Sequence, residues 1–288
     1  MTKPVVSLKL KDIVRSELTA QEQSLMVNSY DRTGDIAIIA LPEALAHREK
    51  AIGKAILTAH SSIRVVARRC GRYSGEFRTA PLKIIAGERR KKTLVKEFGV
   101  RLFVDLEKAY FSPRSASERR RVAACVQTGE SVLVMFSGIA PYPLLIAKCS
   151  RAKRIVGIEK NPFAHAYGLK NLQLNRNKDI DLLCGDVREV AKKLHSSFER
   201  IVMPLPTAGD RFLSDALGLL SPAGGVIHYY QMTNDNAPSL PVTQITEACK
   251  RARRELIAMR RIGCGHCGPR TQRICIDAEI GPKDNGKG

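Results

Sequence analysis

No apolar run in this 288-residue chain approaches the roughly 18–20 residues that a membrane-crossing helix needs. The start, "MTKPVVSLKLKDIVRSEL", alternates charged with apolar residues and lacks the continuous apolar segment of a signal peptide. These absences argue against membrane insertion and export, so a cytosolic protein is the expectation. No internal repeat and no low-complexity segment stands out. Acidic residues are also scarce: 28 Asp and Glu stand against 48 Lys and Arg, a net charge of +20. An excess of that size calls for a polyanionic partner. The cations are spread through "RRKK" from Arg89, "RRR" from Arg119 and "KRARR" from Lys250, and no basic amphipathic helix dominates. Nucleic acid therefore fits better than a membrane surface. The plainer alternative is a solvated surface tuned for solubility.

Paired metal ligands are missing as well. "CGHC", Cys264 to Cys267, has no second Cys/His pair nearby to complete a four-ligand zinc site. No metal is expected, and the stretch reads as a C-terminal loop with free thiols. A local disulfide is open but unusual in the cytosol. Cys125, Cys149, Cys184 and Cys275 have apolar sequence neighbours and read as small buried hydrophobes.

What is present is an ordered alternation of patterns. Residues 1–24 read as a helical lead-in, and residues 25–108 as a small α/β domain with strands at "GDIAIIALP", "SIRVVARR" and "PLKIIAGE". From 109 to 282 buried-strand patterns alternate with helices, and "LIAMRRIG" with "QRICIDAEI" reads as a terminal antiparallel pair. This predicts an α/β fold with a mainly parallel, doubly wound, Rossmann-like sheet, followed by a frayed tail at 283–288.

In such sheets ligands bind beyond the carboxyl ends of the strands. The first strand ends in "MFSGIAPYPL", with Phe136 and a tight turn at Gly138. The second ends in "IEKN", where Glu159, followed by Lys160 and Asn161, is placed to accept from two ribose hydroxyls. The third ends in "GDVRE", where Asp186, followed by Val187, is placed to accept from an adenine amino group. The fourth ends in "MPLP", where Pro204 alone reads as a loop terminator and, in S-adenosylmethionine-dependent enzymes, the position faces the methyl acceptor. Each signal alone is an ordinary strand end; three on consecutive strands point to a nucleoside cofactor. The glycine turn lacks the GxGxxG form that lets backbone approach a pyrophosphate, which favours S-adenosyl-L-methionine over NAD.

The motifs "SYDRTGDIAIIALPE", "SGEFRT", "YFSPRSASER", "GDVREV", "ERIVMPLP" and "GGVIHYY", in that order, resemble the archaeal and eukaryotic-type tRNA (guanine-37-N1) methyltransferases. That group includes the related wybutosine-pathway aminocarboxypropyl transferases. The resemblance implies a small RNA-contacting α/β domain followed by a class I methyltransferase domain, with the tRNA anticodon stem-loop as partner. It also implies roles for single residues. Arg78 would sit against the guanine O6, Tyr110 and Arg114 would line the site, and Glu118 would be the general base. Guanine N1 carries a proton and is a poor nucleophile, so a carboxylate to take that proton and a cation for the charge on O6 suit the reaction. Arg114 lies one helical turn before Glu118 and would hold the carboxylate or a phosphate. The residues alone favour a different reading, in which "SASE" is a capping box and Glu118 accepts the N-cap N–H. The resemblance reverses that preference.

Several positions depart from the family pattern. Pro204 stands where the methyltransferases usually carry a base-contacting Asn. Val134, Ser137 and Ala140 replace Asp, Ala and Gly around the first strand end. Arg114 stands where the aminocarboxypropyl transferases carry Asn. No counterpart of the family's N-terminal elbow-binding domain is expected in the first 24 residues, which leaves room for a protein partner in its place. Aminocarboxypropyl transfer and a non-catalytic RNA-binding scaffold are the alternatives to methylation.

Overall fold

Short apolar strands and one amphipathic helix set the first half of the chain. A computed structural model describes residues 9–177, 179–194, 197–234, 239–268 and 271–284. The chain divides into two compact units, Met1–Lys96 with Arg101–Pro113, and Glu97–Val100 with Arg114–Gly288.

The first unit contains α1 (Leu10–Ile13), α2 (Ala20–Leu25), β1 (Asp31–Thr33), β2 (Ile36–Ile39), α3 (Glu49–Ala59), β3 (Val65–Arg69), β4 (Leu82–Gly87) and the hairpin β5 (Lys92–Glu97) and β6 (Val100–Asp105). β1 to β4 form one sheet in that order. β2 and β3 are parallel, which demands a crossover, and α3 supplies it. Ile52, Gly53 and Ile56 turn one face of α3 inward, and Gly53 lies so close to β4 that a Cβ there would meet Ala86 at 2.8 Å. Leu10, Val14, Leu18 and Met26, from the helical start of the chain, are buried in the same core as Ile39, Leu45, Ile52 and Ile56.

The second unit contains α4 (Ala116–Cys125), β7 (Ser131–Met135), α5 (Pro141–Cys149), β8 (Arg154–Glu159), α6 (Pro162–Leu174), β9 (Ile180–Cys184), α7 (Val187–Lys193), β10 (Arg200–Met203), α8 (Leu213–Leu219), β11 (Gly225–Asn234), α9 (Leu240–Arg251), β12 (Arg254–Gly268) and β13 (Thr271–Lys283). Its seven strands run in the order β12-β13-β11-β10-β7-β8-β9. β7 to β11 are parallel, and β13 is inserted antiparallel between β11 and β12. The chain winds outward from β7 to β9, returns to β10 and winds the other way. The carboxyl ends of β7 and β10 therefore flank the topological switch point, where such sheets bind ligands. β7 and β10 are near-continuous apolar runs, as strands covered on both faces must be.

The structure corrects the cysteine expectations. Cys149 ends α5 and Cys184 ends the edge strand β9; both are exposed, Cys125 is half-buried, and Cys249 and Cys275 are buried. Cys264 stands in β12 rather than in a loop. The Cys267 side chain lies outside the described residues.

The turn of the β5–β6 hairpin belongs to the second unit. Phe98 and Gly99 both have positive φ, 46° and 80°, as a two-residue hairpin turn of matching twist requires. Behind it, Glu97 receives two hydrogen bonds from Arg119 of α4, at 3.0 and 2.6 Å, and both side chains are less than a tenth exposed. Removing one partner of such a pair strands a buried charge. Arg119→Ala is expected to cost about 3–5 kcal/mol in urea unfolding, and the double change Glu97→Leu with Arg119→Met should recover most of it.

Candidate cofactor and catalytic site

The loop after β7 is held by backbone geometry that its sequence barely tolerates. Phe136, Gly138 and Ala140 all adopt positive φ, at 60°, 57° and 65°. Only the glycine does so without strain; Ala140 stands where the family pattern has Gly. A Cβ on Gly138 would meet nothing within 4 Å, so open space faces this turn. The buried Asn171 of α6 steadies the loop by donating to the Ile139 carbonyl at 3.0 Å.

Glu159, at the end of β8, accepts from Gly138 N–H and Asn161 N–H, each at 2.7 Å. Its carboxylate thus ties the first strand end to the second. Burial pushes its carboxyl up, against the pull of backbone N–H groups of Asn161, Gly138 and Lys160. No lysine or arginine side chain pairs with it among the described residues. Two carboxylate oxygens offer about four acceptor sites, so capacity remains after these backbone bonds. A half-buried carboxylate with neutral donors, beside open space, fits a ribose diol. Asn161 caps α6 by accepting from Phe163 N–H and Ala164 N–H.

Asp186 accepts from Arg188 N–H at 3.0 Å and so caps α7. It also pairs with Lys160 at 3.0 Å. Burial would raise its carboxyl, but these two partners outweigh it and hold Asp186 below the usual range. An adenine amino group would therefore share this carboxylate with Lys160. Val187 points into the core and is 3% exposed, so its side chain is a packing element. Two residues outside the sequence reading join this end of the sheet. Phe212 packs edge-on against Phe136 with ring centroids 4.8 Å apart, and the Arg188 guanidinium lies 4.5 Å from the Phe212 ring centroid.

After β10, the Leu205 N–H donates to the Met203 carbonyl at 2.8 Å and closes a tight turn around Pro204. The Pro206 carbonyl accepts from Met232 N–H at 2.8 Å. Two of the carbonyls in "MPLP" thus already have backbone partners.

The largest departure from expectation concerns Glu118. "SASE" does not form a capping box: Ser115 makes no side-chain cap, and its Oγ accepts instead from Arg273 at 2.8 Å. Glu118, in the first turn of α4, is 9% exposed. Its carboxylate receives two hydrogen bonds from Arg121, both at 2.8 Å, and one from the Tyr230 hydroxyl at 2.5 Å. Arg121 is thus a guanidinium that holds it. Arg114 is exposed in the single 3-10 turn before α4. Tyr230 in turn accepts from the Tyr142 hydroxyl at 3.0 Å, and Tyr142 opens α5 directly after the Gly138 loop. Glu118 is therefore joined by hydrogen bonds to the helix that the cofactor loop feeds. Oε1 of Glu118 takes two of the Arg121 and Tyr230 bonds and Oε2 takes one, from Arg121 Nε, and the Cys264 thiol also bonds to this carboxylate.

Beyond Arg121 the chain continues through Asp277 at 2.5 and 3.0 Å, His228 at 2.6 Å, and Arg200 at 2.8 Å. Arg200 ends on Glu130 with bonds of 2.7 and 2.9 Å. An arginine can only donate, so His228 Nε2 accepts from Arg200 and its proton sits on Nδ1, facing Asp277. Burial pushes His228 down, against the pull of Asp277, which agrees with a neutral ring. Burial also acts to raise Asp277, but the hydrogen bonds from His228 and Arg121 hold it well below the ordinary value. His228, Cys275 and Asp277 bring ligand-type atoms within 4.8 Å of one another. The two guanidiniums already supply the positive charge there, and burial keeps the Cys275 thiol protonated. Cys264 lies against the same system, its thiol pushed up to about 12 by burial and by Glu118.

In the first unit, Arg78 and Tyr110 are brought together. Arg78 has φ 50° at the tip of the β3–β4 connection, and its guanidinium carbon lies 5.4 Å from the Tyr110 ring centroid.

The strand order of the second unit, with its antiparallel insertion of β13, and the acid at each of the second and third strand ends define a class I methyltransferase domain. Comparison with known proteins narrows this. Residues 93–257 match the TRM5/TYW2 methyltransferase domain, and residues 10–90 match the TYW2 N-terminal domain. The chain belongs to the TRM5/TYW2 methyltransferase family. It is 36% identical over 253 residues to the tRNA (guanine(37)-N(1))-methyltransferase Trm5b of Pyrococcus abyssi, covering 88% of this chain and 74% of that protein. It is 31% identical over 223 residues to the tRNA 4-demethylwyosine(37)-methyltransferase Taw21 of Saccharolobus solfataricus, covering 77% of this chain and 84% of that one. A solved complex of aTrm5 with tRNALeu superposes with a TM-score of 0.80 at 30% identity, covering 97% of this chain and 80% of that chain.

Asp277 gives this site a pH signature. Its folded pKa lies below the ordinary 3.8. The stabilisation is therefore complete above that value and is lost as pH falls towards the folded one. Asp277→Asn should destabilise at pH 6, and the gap to the wild type should narrow by about 1 kcal/mol by pH 3 in urea titrations.

Proposed function

We propose that this protein is an S-adenosylmethionine-dependent tRNA methyltransferase that acts on N1 of guanosine 37, next to the anticodon. The observation that carries the reading is the cofactor end of the second unit. Gly138 faces open space, and Glu159 binds that turn with a carboxylate whose partners among the described residues are backbone N–H groups. Glu159 would hold the ribose hydroxyls, Asp186 with Lys160 the adenine amino group, and Phe136 would lie beside the nucleoside. S-adenosylmethionine, when bound, supplies an electrophilic methyl group on a sulfonium. Everything else falls to the chain. The net charge of +20 suits a phosphate backbone, whose binding weakens steeply with salt. The target base must leave its stack to be reached. Arg78 and Tyr110 are assigned as base-contacting residues, a cation for developing charge on O6 and a ring for stacking.

Glu118 is assigned as the base that accepts the N1 proton. Arg121 and Tyr230 orient it and offset its burial, and the proton would arrive on Oε2, which takes fewer of the Arg121 and Tyr230 bonds than Oε1. Tyr142 and Tyr230 link the cofactor loop to this carboxylate, so they act as positioning residues.

A second reading has its own support. Pro204 stands in place of the family's base-contacting Asn and has no side-chain donor, and the first unit matches the TYW2 N-terminal domain. Both observations suit an acceptor other than plain guanine. Relatives named for 4-demethylwyosine fall within the same family. The cofactor's aminocarboxypropyl group, rather than its methyl group, is the other transferable one.

Glu118→Gln is expected to lower single-turnover methyl transfer at least about a hundredfold with cofactor affinity unchanged. Stability loss with transfer retained would make Glu118 a purely structural residue. Glu159→Ala should weaken cofactor binding by calorimetry about tenfold or more, because hydrogen bonds to a charged group are lost.

A further inference from the structure

The Arg78–Tyr110 pair does not stand alone in the first unit. The connection between β3 and β4 extends as a narrow hairpin, closed by the Ser74 N–H on the Thr79 carbonyl at 3.1 Å and the Cys70 N–H on the Pro81 carbonyl at 2.8 Å. Residues 71–77 are all exposed. Tyr73, on this hairpin, packs edge-to-face with Tyr110 at a centroid distance of 5.6 Å and an interplanar angle of 84°. The Arg69 guanidinium carbon lies 5.2 Å from the Tyr73 ring centroid. The result is a row of four side chains, Arg69–Tyr73–Tyr110–Arg78, with each ring backed by a guanidinium. Both rings remain 40% exposed, and Phe77 beside them is 38% exposed.

Exposed aromatics are few among the described residues, and three of them gather here among Arg69, Arg72 and Arg78. A monomeric protein gains little from leaving such rings in water. Rings with exposed faces, interleaved with arginines, are what unstacked nucleobases bind: the ring takes the base and the cation the adjoining phosphate. Two rings at nearly right angles cannot stack on one base, so the row offers two separate platforms.

We propose that Tyr73, backed by Arg69, is a second platform that stacks the nucleotide adjoining the target base in the RNA loop. This rests on the tRNA reading above, which assigns Tyr110 and Arg78 to the target base itself. The second platform would hold the loop open beside the target and set its register, without touching the reacting atoms.

The test is a thermodynamic cycle between protein and RNA. The full chain and its Tyr73→Ala and Tyr73→Phe variants are titrated with an anticodon stem-loop, and with two copies that are abasic on the 5′ or the 3′ side of the target. Tyr73→Ala should weaken binding to the intact RNA about tenfold. It should have no further effect on one of the two abasic RNAs, and Tyr73→Phe should bind like the wild type. Equal effects of Tyr73→Ala on all three RNAs, or none on any, would overturn the proposal. Methyl transfer by the wild type is measured in parallel. A Tyr73-dependent cycle without transfer would leave the platform standing and remove the methyltransferase reading. Transfer with an additive cycle would do the reverse. No binding of the stem-loop by the wild type would overturn both.

Discussion

The ion triad Glu118–Arg121–Asp277 is the constraint on which the second unit depends. Two carboxylates and one guanidinium are taken largely out of water, and such a group is tolerable only if every member is satisfied. The structure satisfies them by bringing three elements to one place. α4 contributes Glu118 and Arg121, β13 contributes Asp277, and β11 contributes His228 and Tyr230. The antiparallel register sets His228 directly opposite Asp277 and Tyr230 opposite Cys275. A slip of one residue would turn Asp277 to the other face and leave Arg121 with half its partners. The insertion of β13 into the sheet is thereby locked, and Glu118 is held in one orientation. A carboxylate that serves as a base profits from such fixing, because its hydrogen bonds are formed before substrate arrives.

The cofactor end follows a different logic. There the backbone does most of the holding. Glu159 is gripped by N–H groups from two loops, Asp186 and Asn161 each begin a helix, and the Gly138 turn is pinned from behind by Asn171. Two of the four departures from the family pattern, Ala140 and Pro204, fall where backbone conformation decides. Ala140 accepts a left-handed conformation where Gly would be relaxed, at a local cost of about 1–2 kcal/mol. Pro204 fixes a tight turn at the end of β10. Neither alters Glu159 or Asp186; Pro204 stands where the family pattern has an Asn.

The alternation of strands and helices, the terminal antiparallel pair and the two acids at the strand ends were legible because their signals are local. Periodicity and turn residues act over a few positions. The network around Glu118 was not legible, because its partners are remote: Tyr230 lies 112 residues away and Asp277 lies 156 residues from Arg121. The capping-box pattern misled for the same reason. Ser115 has the right neighbours for a cap, yet a guanidinium 158 residues later takes its hydroxyl. Cys149 and Cys184 sit among apolar neighbours in sequence but end an exposed helix turn and an edge strand. Local composition does not say which face a residue occupies.

Methyl transfer to a guanosine beside the anticodon is the reaction that the proposed function requires. The direct measurement incubates the purified chain with bulk tRNA and cofactor labelled either on the methyl carbon or on the carboxyl carbon, then digests the RNA and identifies the labelled nucleoside. Methyl label in 1-methylguanosine, with none from the carboxyl position, is the predicted result. Label from the carboxyl carbon, or no label in any nucleoside while calorimetry shows cofactor bound, would contradict it.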